Sequence, residues 1–279
     1  SETVKLGDSI ENHRAHSISP QHAEIWKELA QVLSQDGFSQ LYSISTFEVY
    51  NKDDILVASG DTDCSLFFIN SGKVSVSCSS GGLERFLCRV GAGTILGYDQ
   101  FFNASVWTVT LKALSSVEVQ VVSKKGWQYI EKEVPGIRQK LQSFCMQGID
   151  VSKLITLSGD DRRNQIRYIL NTATTHRVLN HFGSDSGRKI DGELLDISRG
   201  GAAFSIKFTS SEEANNFLGK GLLTSLKVAS GFSSSFSGVV VGVRPLDAAT
   251  KSYSVHVKFA YIINQDEFLK ILHVFSLNH

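Results

Sequence analysis

The sequence lacks most of what would tie it to a membrane, a nucleic acid or a metal. Its 28 basic residues are matched by 28 acidic ones. A broad basic surface for nucleic acid is therefore not expected, which leaves room only for a local patch. No apolar run approaches the roughly 18 residues of a membrane-crossing helix, so membrane insertion is not expected either. The first residues do not read as a secretory leader. Because the chain opens at Ser1 and its one methionine is Met146, the natural start stays open.

Cysteines are few and scattered. Cys64, Cys78, Cys88 and Cys145 form no C-x-x-C pair, which fits reduced thiols in a cytoplasmic protein better than a disulfide frame or a zinc site. Catalytic signatures are missing: there is no G-x-S-x-G, H-E-x-x-H or G-x-x-x-x-G-K-S/T, and no recognisable acid–base carboxylate pair. His176 and His181 lack a third ligand at metal spacing, and His13, His16 and His22 lie in the polar start. The expectation is a protein that is not an enzyme and carries no metal and no cofactor. Only 3 of the 279 residues are proline. That scarcity, together with much Val, Ser and Phe, leans towards β structure.

What is present divides the chain into four stretches. Residues 1–36 comprise a polar segment and one amphipathic helix over 20–34, capped by Ser19, started by Pro20 and ended by Asp36-Gly37. Residues 37–124 alternate like short strands between turn signals such as Asn70-Ser71-Gly72 and Gly91-Ala92-Gly93, the texture of a β-barrel or jelly roll. Residues 125–158 read as a helical linker broken at Pro135-Gly136. Its stripe Ile137, Leu141, Phe144, Cys145 and Gly148 serves either domain linkage and dimer pairing or simple packing on its own barrel. After a hinge at Ser158-Gly159-Asp160-Asp161, residues 159–279 form a second β-rich block. Within it Tyr253, Val255, Val257 and Phe259 alternate as one buried face, and Asn264 caps a closing helix with Phe268, Ile271, Leu272 and Phe275 inward.

Two short strings in that last block carry the chemistry. One is Arg163-Asn164-Gln165-Ile166-Arg167, and the other is Asp196-Ile197-Ser198-Arg199-Gly200-Gly201. Two arginines four apart present two planar forks that pair with phosphate or with the O6/N7 edge of guanine. Asp196 can accept from guanine N1 and N2 hydrogens or orient an arginine. Ser198 offers a hydroxyl near a phosphate. Gly200 and Gly201 let backbone come close to a ligand. A cyclic dinucleotide with two guanines and two phosphates would use all of these features. The bland alternatives are a solvated charge run beside Asp160 and Asp161 and a strand ending in a glycine turn with Ser198 bonded locally.

In these strings the chain resembles the PilZ family. Arg163 and Arg167 match its R-x-x-x-R, and Asp196, Ser198 and Gly201 match its D/N-x-S-x-x-G, over about residues 159–279. The resemblance implies a six-stranded barrel that binds cyclic di-GMP. Arg162 extends the first string to R-R-x-x-x-R, which in the family leans to an intercalated pair of ligands. The ligand-binding set is then Arg162, Arg163, Arg167, Asp196, Ser198, Gly200 and Gly201. Arg244, near a strand end, reads as a solvated surface residue.

The first β block is similar to the cyclic-nucleotide-binding jelly roll. The similarity rests on Phe47-x-Val49 through Ile55, Gly60-Asp61, Leu66 through Val74, and Gly93-Thr94-Ile95-Leu96-Gly97. The ligand residues of that family are missing. Tyr98 stands after Gly97 where a glutamate is expected, and Trp107 takes the arginine position before Thr108. Burying a phosphate without a paired cation is costly, so weak or no binding of cAMP or cGMP is expected, with Trp107 and Tyr98 filling core.

Together these readings describe a mainly β chain with helices: two β-barrel domains, a cyclic-nucleotide-binding-like jelly roll and then a PilZ barrel, joined by a helical linker. The function implied is a cytoplasmic cyclic di-GMP receptor that changes its inter-domain arrangement to regulate an unknown downstream protein. Control of biofilm or motility is the family-level expectation, and homodimerisation is left open. Two other readings stay open: a dual sensor that also takes a cyclic mononucleotide, and a ligand-independent adaptor.

Overall fold

A computed structural model describes residues 18–80, 83–149, 151–157, 165–227, 233–247 and 249–276. The chain divides into two compact units after Asp160, with Asn103–Val106 grouped with the second. Three short helices come first: α1 (Pro20–Ile25), α2 (Lys27–Leu33) and α3 (Gln35–Ser43). Ser19 caps α1 by accepting from the His22 N–H at 3.2 Å. The single helix expected over 20–34 is thus interrupted at Trp26, and Asp36-Gly37 does not end the helical stretch. Ser34 turns at φ 72° and caps α3 by accepting from the Gly37 N–H at 3.3 Å. Asp36 and Gly37 become the first turn of α3, and Phe38 and Leu41 are buried in one core with Leu29 and Leu33.

Strands therefore begin later than residue 37. They are β1 (Thr46–Tyr50), β2 (Ile55–Val57), β3 (Leu66–Ser71), β4 (Lys73–Ser80), β5 (Leu83–Gly91) and β6 (Ile95–Leu96). The helix α4 (Tyr98–Asn103) comes next, then β7 (Thr110–Ala113) and β8 (Val117–Val122). They form two four-stranded sheets, ordered β1-β8-β3-β6 and β2-β7-β4-β5. Inward side chains of both sheets, among them Phe67, Ile69, Val76, Leu111 and Val119, share one core, the arrangement of a jelly roll.

The helical stretch after β8 is α5 (Lys124–Glu133), α6 (Ile137–Met146) and α7 (Val151–Leu157). The break at Pro135-Gly136 is present, with Gly136 at φ 76°. Ile137, Leu141 and Cys145 are buried in the same core as Trp26, Leu29 and Phe101. That stripe is used within the first unit itself, so it is not a free face for pairing or linkage. Burial also pushes the Cys145 thiol up to about 12.

The second unit is a closed barrel. Its strands are β9 (Tyr168–Leu179), β10 (Asp185–Ser198), β11 (Gly201–Lys207), β12 (Gly221–Lys227), β13 (Ser233–Asp247) and β14 (Ser252–Phe259). A short helix α8 (Ser211–Asn215) precedes β12, and α9 (Gln265–Ser276) comes after β14. Around the barrel the order is β10-β11-β14-β13-β12-β9, which leaves no sheet edge open. In β14, Val255, Val257 and Phe259 face the core. β13 starts at Ser233 and pairs with β12 from Lys227↔Ser233 to Gly221↔Val239. Asn264 caps α9 by accepting from the Glu267 N–H at 2.8 Å, with Phe268 and Ile271 buried below it.

The barrel interior also holds a polar knot. His176 is fully buried and bonds Thr174 Oγ1 at 2.8 Å and Thr224 Oγ1 at 2.9 Å. Its ring stands edge-on to Phe204 with centroids 4.5 Å apart. Burial drives its pKa down to about 4, so the ring is neutral and both nitrogens are satisfied by hydroxyls.

Candidate functional site

The second string is a tight hairpin. β10 and β11 pair from Gly192↔Ile206 down to Ser198↔Gly201, and Arg199-Gly200 makes the turn. Simple alternation would put Leu194, Asp196 and Ser198 on one face. The pairing slips by one residue between Leu194 and Asp196, on both the β11 side and the β9 side. Such a slip reverses the facing of every residue beyond it on the strand. Leu194 and Ile197 therefore both point into the core, while Asp196 is left on the outer side, its carboxylate about a quarter exposed at 27%.

Asp196 lies opposite Ile169 of β9 and Ile197 opposite Tyr168, so Arg167, one residue before β9, comes alongside. Arg167 donates from Nη1 to Asp196 Oδ1. The second arginine of the first string and the first residue of the second are thereby joined, 29 residues apart in sequence. The Arg167 side chain is 30% exposed.

The turn is held from behind. The Gly200 carbonyl accepts from the Phe259 N–H at 2.9 Å, and the Arg199 carbonyl accepts from the Ile263 N–H at 2.8 Å. Arg199 also donates from Nε to the Ile263 carbonyl at 2.7 Å. Ser198 is buried, and its hydroxyl donates to the Gly201 carbonyl at 3.1 Å, the local bond of a strand-end turn. Gly201 runs against β14 so closely that a methyl there would lie 2.5 Å from the Val257 carbonyl oxygen. Only glycine permits that approach.

The described residues bring together Arg167, Asp196, Ser198, Gly200 and Gly201. Arg162 and Arg163, and the hinge at residues 158–161, lie outside the described residues. Arg244 is exposed on β13 opposite Ser254, as its surface reading expects. Several neighbours of the site were not singled out from the sequence. Ile166 and Ile169 flank Arg167 with 75% and 81% exposure, and Tyr261 just beyond β14 has 83%. Tyr168 stands edge-on to Phe268 of α9 at 5.7 Å. Among the described residues, the side-chain oxygen of Gln165 is buried without a hydrogen-bond partner. The apolar residues Ile166, Tyr168 and Ile169, set directly beside the arginine string, were the available signal. No group of His, Cys, Asp and Glu among the described residues is arranged to hold a metal ion.

In the first unit, Trp107 is 2% exposed and sits in the sheet core, its ring edge-on to Phe67 at 5.8 Å. Its Nε1–H donates to the Asp63 carbonyl at 2.7 Å. Its backbone is locked to the Gly60-Asp61 turn: the Gly60 N–H donates to the Trp107 carbonyl at 2.7 Å and the Trp107 N–H to the Asp61 carbonyl at 2.9 Å. Gly97 precedes α4 at φ 90°, where a side chain would collide with the Ser65 carbonyl oxygen at 2.5 Å and with the Trp107 ring. An indole and a glycine packed together thus fill the place where the resemblance puts a phosphate-binding arginine.

Residues 47–132 match the model of the cyclic nucleotide-binding domain, and residues 161–273 match that of the PilZ domain. No curated protein matches the chain. Among solved structures, the catabolite activator protein of Thermus thermophilus is similar at 20% identity and TM-score 0.36, over 47% of this chain and 55% of that one. The chain thus spans about half of that protein's length. A cyclic nucleotide-binding domain from Methylobacillus flagellatus is similar at 18% identity and TM-score 0.41, over 49% of this chain and 79% of that one. A cyclic nucleotide-binding-like protein from Brucella abortus is similar at 17% identity and TM-score 0.36, over 39% of this chain and 96% of that one. No helix among the described residues is long and apolar enough to cross a membrane.

Proposed function

We propose that this chain, a cyclic nucleotide-binding-type domain followed by a PilZ domain, is a receptor for cyclic di-GMP. The ligand would lie on the outer side of the barrel, at the start of β9 and the β10–β11 turn. Arg162, Arg163 and Arg167 supply cationic donors, Asp196 aims Arg167, and Ser198, Gly200 and Gly201 shape the turn. The single observation that carries the reading is the Arg167–Asp196 pair. Two motifs that are weak separately meet in space, and a guanidinium held by Asp196 would present its fork to phosphate or guanine.

Through the arginines that hold it, the ligand changes the arrangement of the two domains. The ligand shifts that equilibrium only by its differential affinity for the two arrangements. Both domains are of binding and regulatory rather than catalytic type, so the output passes to a downstream protein. Trp107, packed in the first core, argues against a second, mononucleotide ligand. The retained arginine–aspartate pair argues against a ligand-independent adaptor.

Calorimetric titration with cyclic di-GMP tests the reading. The wild type should bind and an Arg163→Ala/Arg167→Ala double variant should not; a wild type that releases no heat, and shows no binding by equilibrium dialysis, overturns it. The heat profile also separates one ligand from an intercalated pair. Small-angle scattering profiles that superimpose with and without ligand would remove the rearrangement.

A further inference from the structure

One side of α9 is turned to solvent. The helix sends Phe268 and Ile271 into the barrel core. Its other side carries Asp266, Leu269, Lys270 and His273, all exposed, and their i, i+3, i+4, i+7 spacing sets them in one stripe. Leu269 is more than half exposed, and so are Tyr261 and Ile262 just before the Asn264 cap. Ile166 and Ile169 are exposed at the start of β9, and Tyr168 between them stands edge-on to Phe268 of α9. Large apolar side chains at one end of the barrel, rimmed by charges, have the composition of a contact surface. Together they expose on the order of 500 Å², at the upper end for a patch on a monomer. A stable interface covers about 800 Å² per partner, which the polar stripe of α9 brings within reach.

The charges choose the partner. α9 has Asp266 and Glu267 in its first turn and His273 in its last, with Lys270 between them. Acid first and base last suits the helix's own dipole. The same order makes the stripe complementary to itself when a second copy runs antiparallel. With Leu269 set against its counterpart across a two-fold axis, Asp266 comes level with a point between Lys270 and His273 of the other copy. At about 1.5 Å of rise per residue, the offset to either is about 3 Å or less along the axis, within reach of a lysine. A parallel pairing would instead set Asp266 on Asp266 and Lys270 on Lys270.

We propose that this end of the second unit is a homodimer seam, in which α9 packs antiparallel on α9 of a second copy around Leu269, with Asp266 paired across the axis to Lys270. The seam uses none of the residues assigned to the ligand, so it stands independently of the receptor reading.

Sedimentation velocity of the full chain tests the seam. An interface of this size suits a micromolar association, so the wild type should pass from monomer to dimer between about 1 and 100 µM. Leu269→Asp should raise the dissociation constant by about tenfold or more. Asp266→Lys and Lys270→Asp each make both cross-axis pairs repulsive, and each should weaken the dimer by about three- to tenfold; urea melts check that the variants fold. An equimolar mixture of those two variants regains both attractive pairs in the heterodimer. It should associate about as tightly as the wild type, which a change in helix stability alone would not produce. A wild type that stays monomeric at about 100 µM overturns the seam, and so does a dimer indifferent to Leu269→Asp. A mixture that associates no more tightly than its components overturns the antiparallel pairing.

Discussion

Ile169 and Asp196 sit directly opposite one another on β9 and β10, both turned to the outside of the barrel. An 81% exposed isoleucine therefore flanks the carboxylate that aims Arg167. The ion pair lies at a wet, partly apolar surface rather than in the core. Its value is geometric, since partly exposed pairs contribute only about 0–1 kcal/mol to stability.

Arg167→Ala should consequently leave the barrel's denaturation midpoint nearly unchanged while weakening cyclic di-GMP by about 10- to 100-fold, the span of a charge-assisted contact. Asp196→Asn should show a smaller loss, because it releases the aim of the arginine without removing it. Paired urea melts and titrations check both. A large fall in stability with unchanged affinity would mean that the pair is merely structural.

Gly201 and Gly200 stand side by side, yet they should respond very differently to alanine. At Gly201 the new methyl meets the Val257 carbonyl 2.5 Å away, so the β11–β14 ladder must move. A cost of about 2–4 kcal/mol is expected, as for other steric faults in packed backbone. At Gly200 the nearest atom is the movable end of Gln165 at 3.3 Å, and stability should change by less than about 1 kcal/mol. Chemical denaturation of the two variants gives the comparison directly.

His176 makes the second unit sensitive to acid. Its folded pKa, about 4, lies below the 6.5 of the unfolded chain, so unfolding takes up a proton between those values. The stability is fully present above pH 6.5 and is lost progressively as pH falls from 6.5 towards 4, by on the order of 3 kcal/mol at most. The titratable neighbour that faces it is Asp191, which opposes the shift. Denaturation midpoints of the wild type between pH 4.5 and 7.5 should therefore slope, and those of His176→Gln should be flatter. Parallel slopes would remove His176 as the source.

Trp107 yields a prediction of absence. Millimolar cAMP or cGMP should leave both the thermal midpoint and the tryptophan fluorescence of the protein unmoved, because the indole occupies core and brings no cation. A rise in midpoint with cAMP would reopen the dual-sensor reading. Trp107→Ala should cost about 3–5 kcal/mol in the first unit, the usual effect of deleting a buried aromatic ring.

Local patterns were enough to place several elements. The alternation of Val255, Val257 and Phe259 is the buried face of β14, and Asn264 is the cap of α9. Both depend on a few adjacent residues and elementary geometry. α3 was hidden for an opposite reason. Asp36-Gly37 is a common stop signal, but the left-handed turn at Ser34 lets a new helix begin there. The spacing of Phe38, Leu41 and Tyr42 was the local cue to it. The stripe on α6 was visible, but its target was not, since an apolar face does not say which apolar face it will meet.

Residue order by itself determined the chemistry on offer: two arginines four apart, an acid, a serine and a glycine pair, together with the missing cation where Trp107 stands. It also determined the run of β, helix and β along the chain, because strand and helix periods are properties of neighbouring residues. Only the tertiary structure decided which side of β10 Asp196 would face. That depends on a one-residue slip in pairing with two other strands, which brings Leu194 and Ile197 both to the core. The same is true of Gln165, whose buried oxygen has no partner among the described residues and lies near Gly200 of the β10–β11 turn. A hydrogen-bond deficit is a property of an assembled neighbourhood, and no segment of sequence contains it.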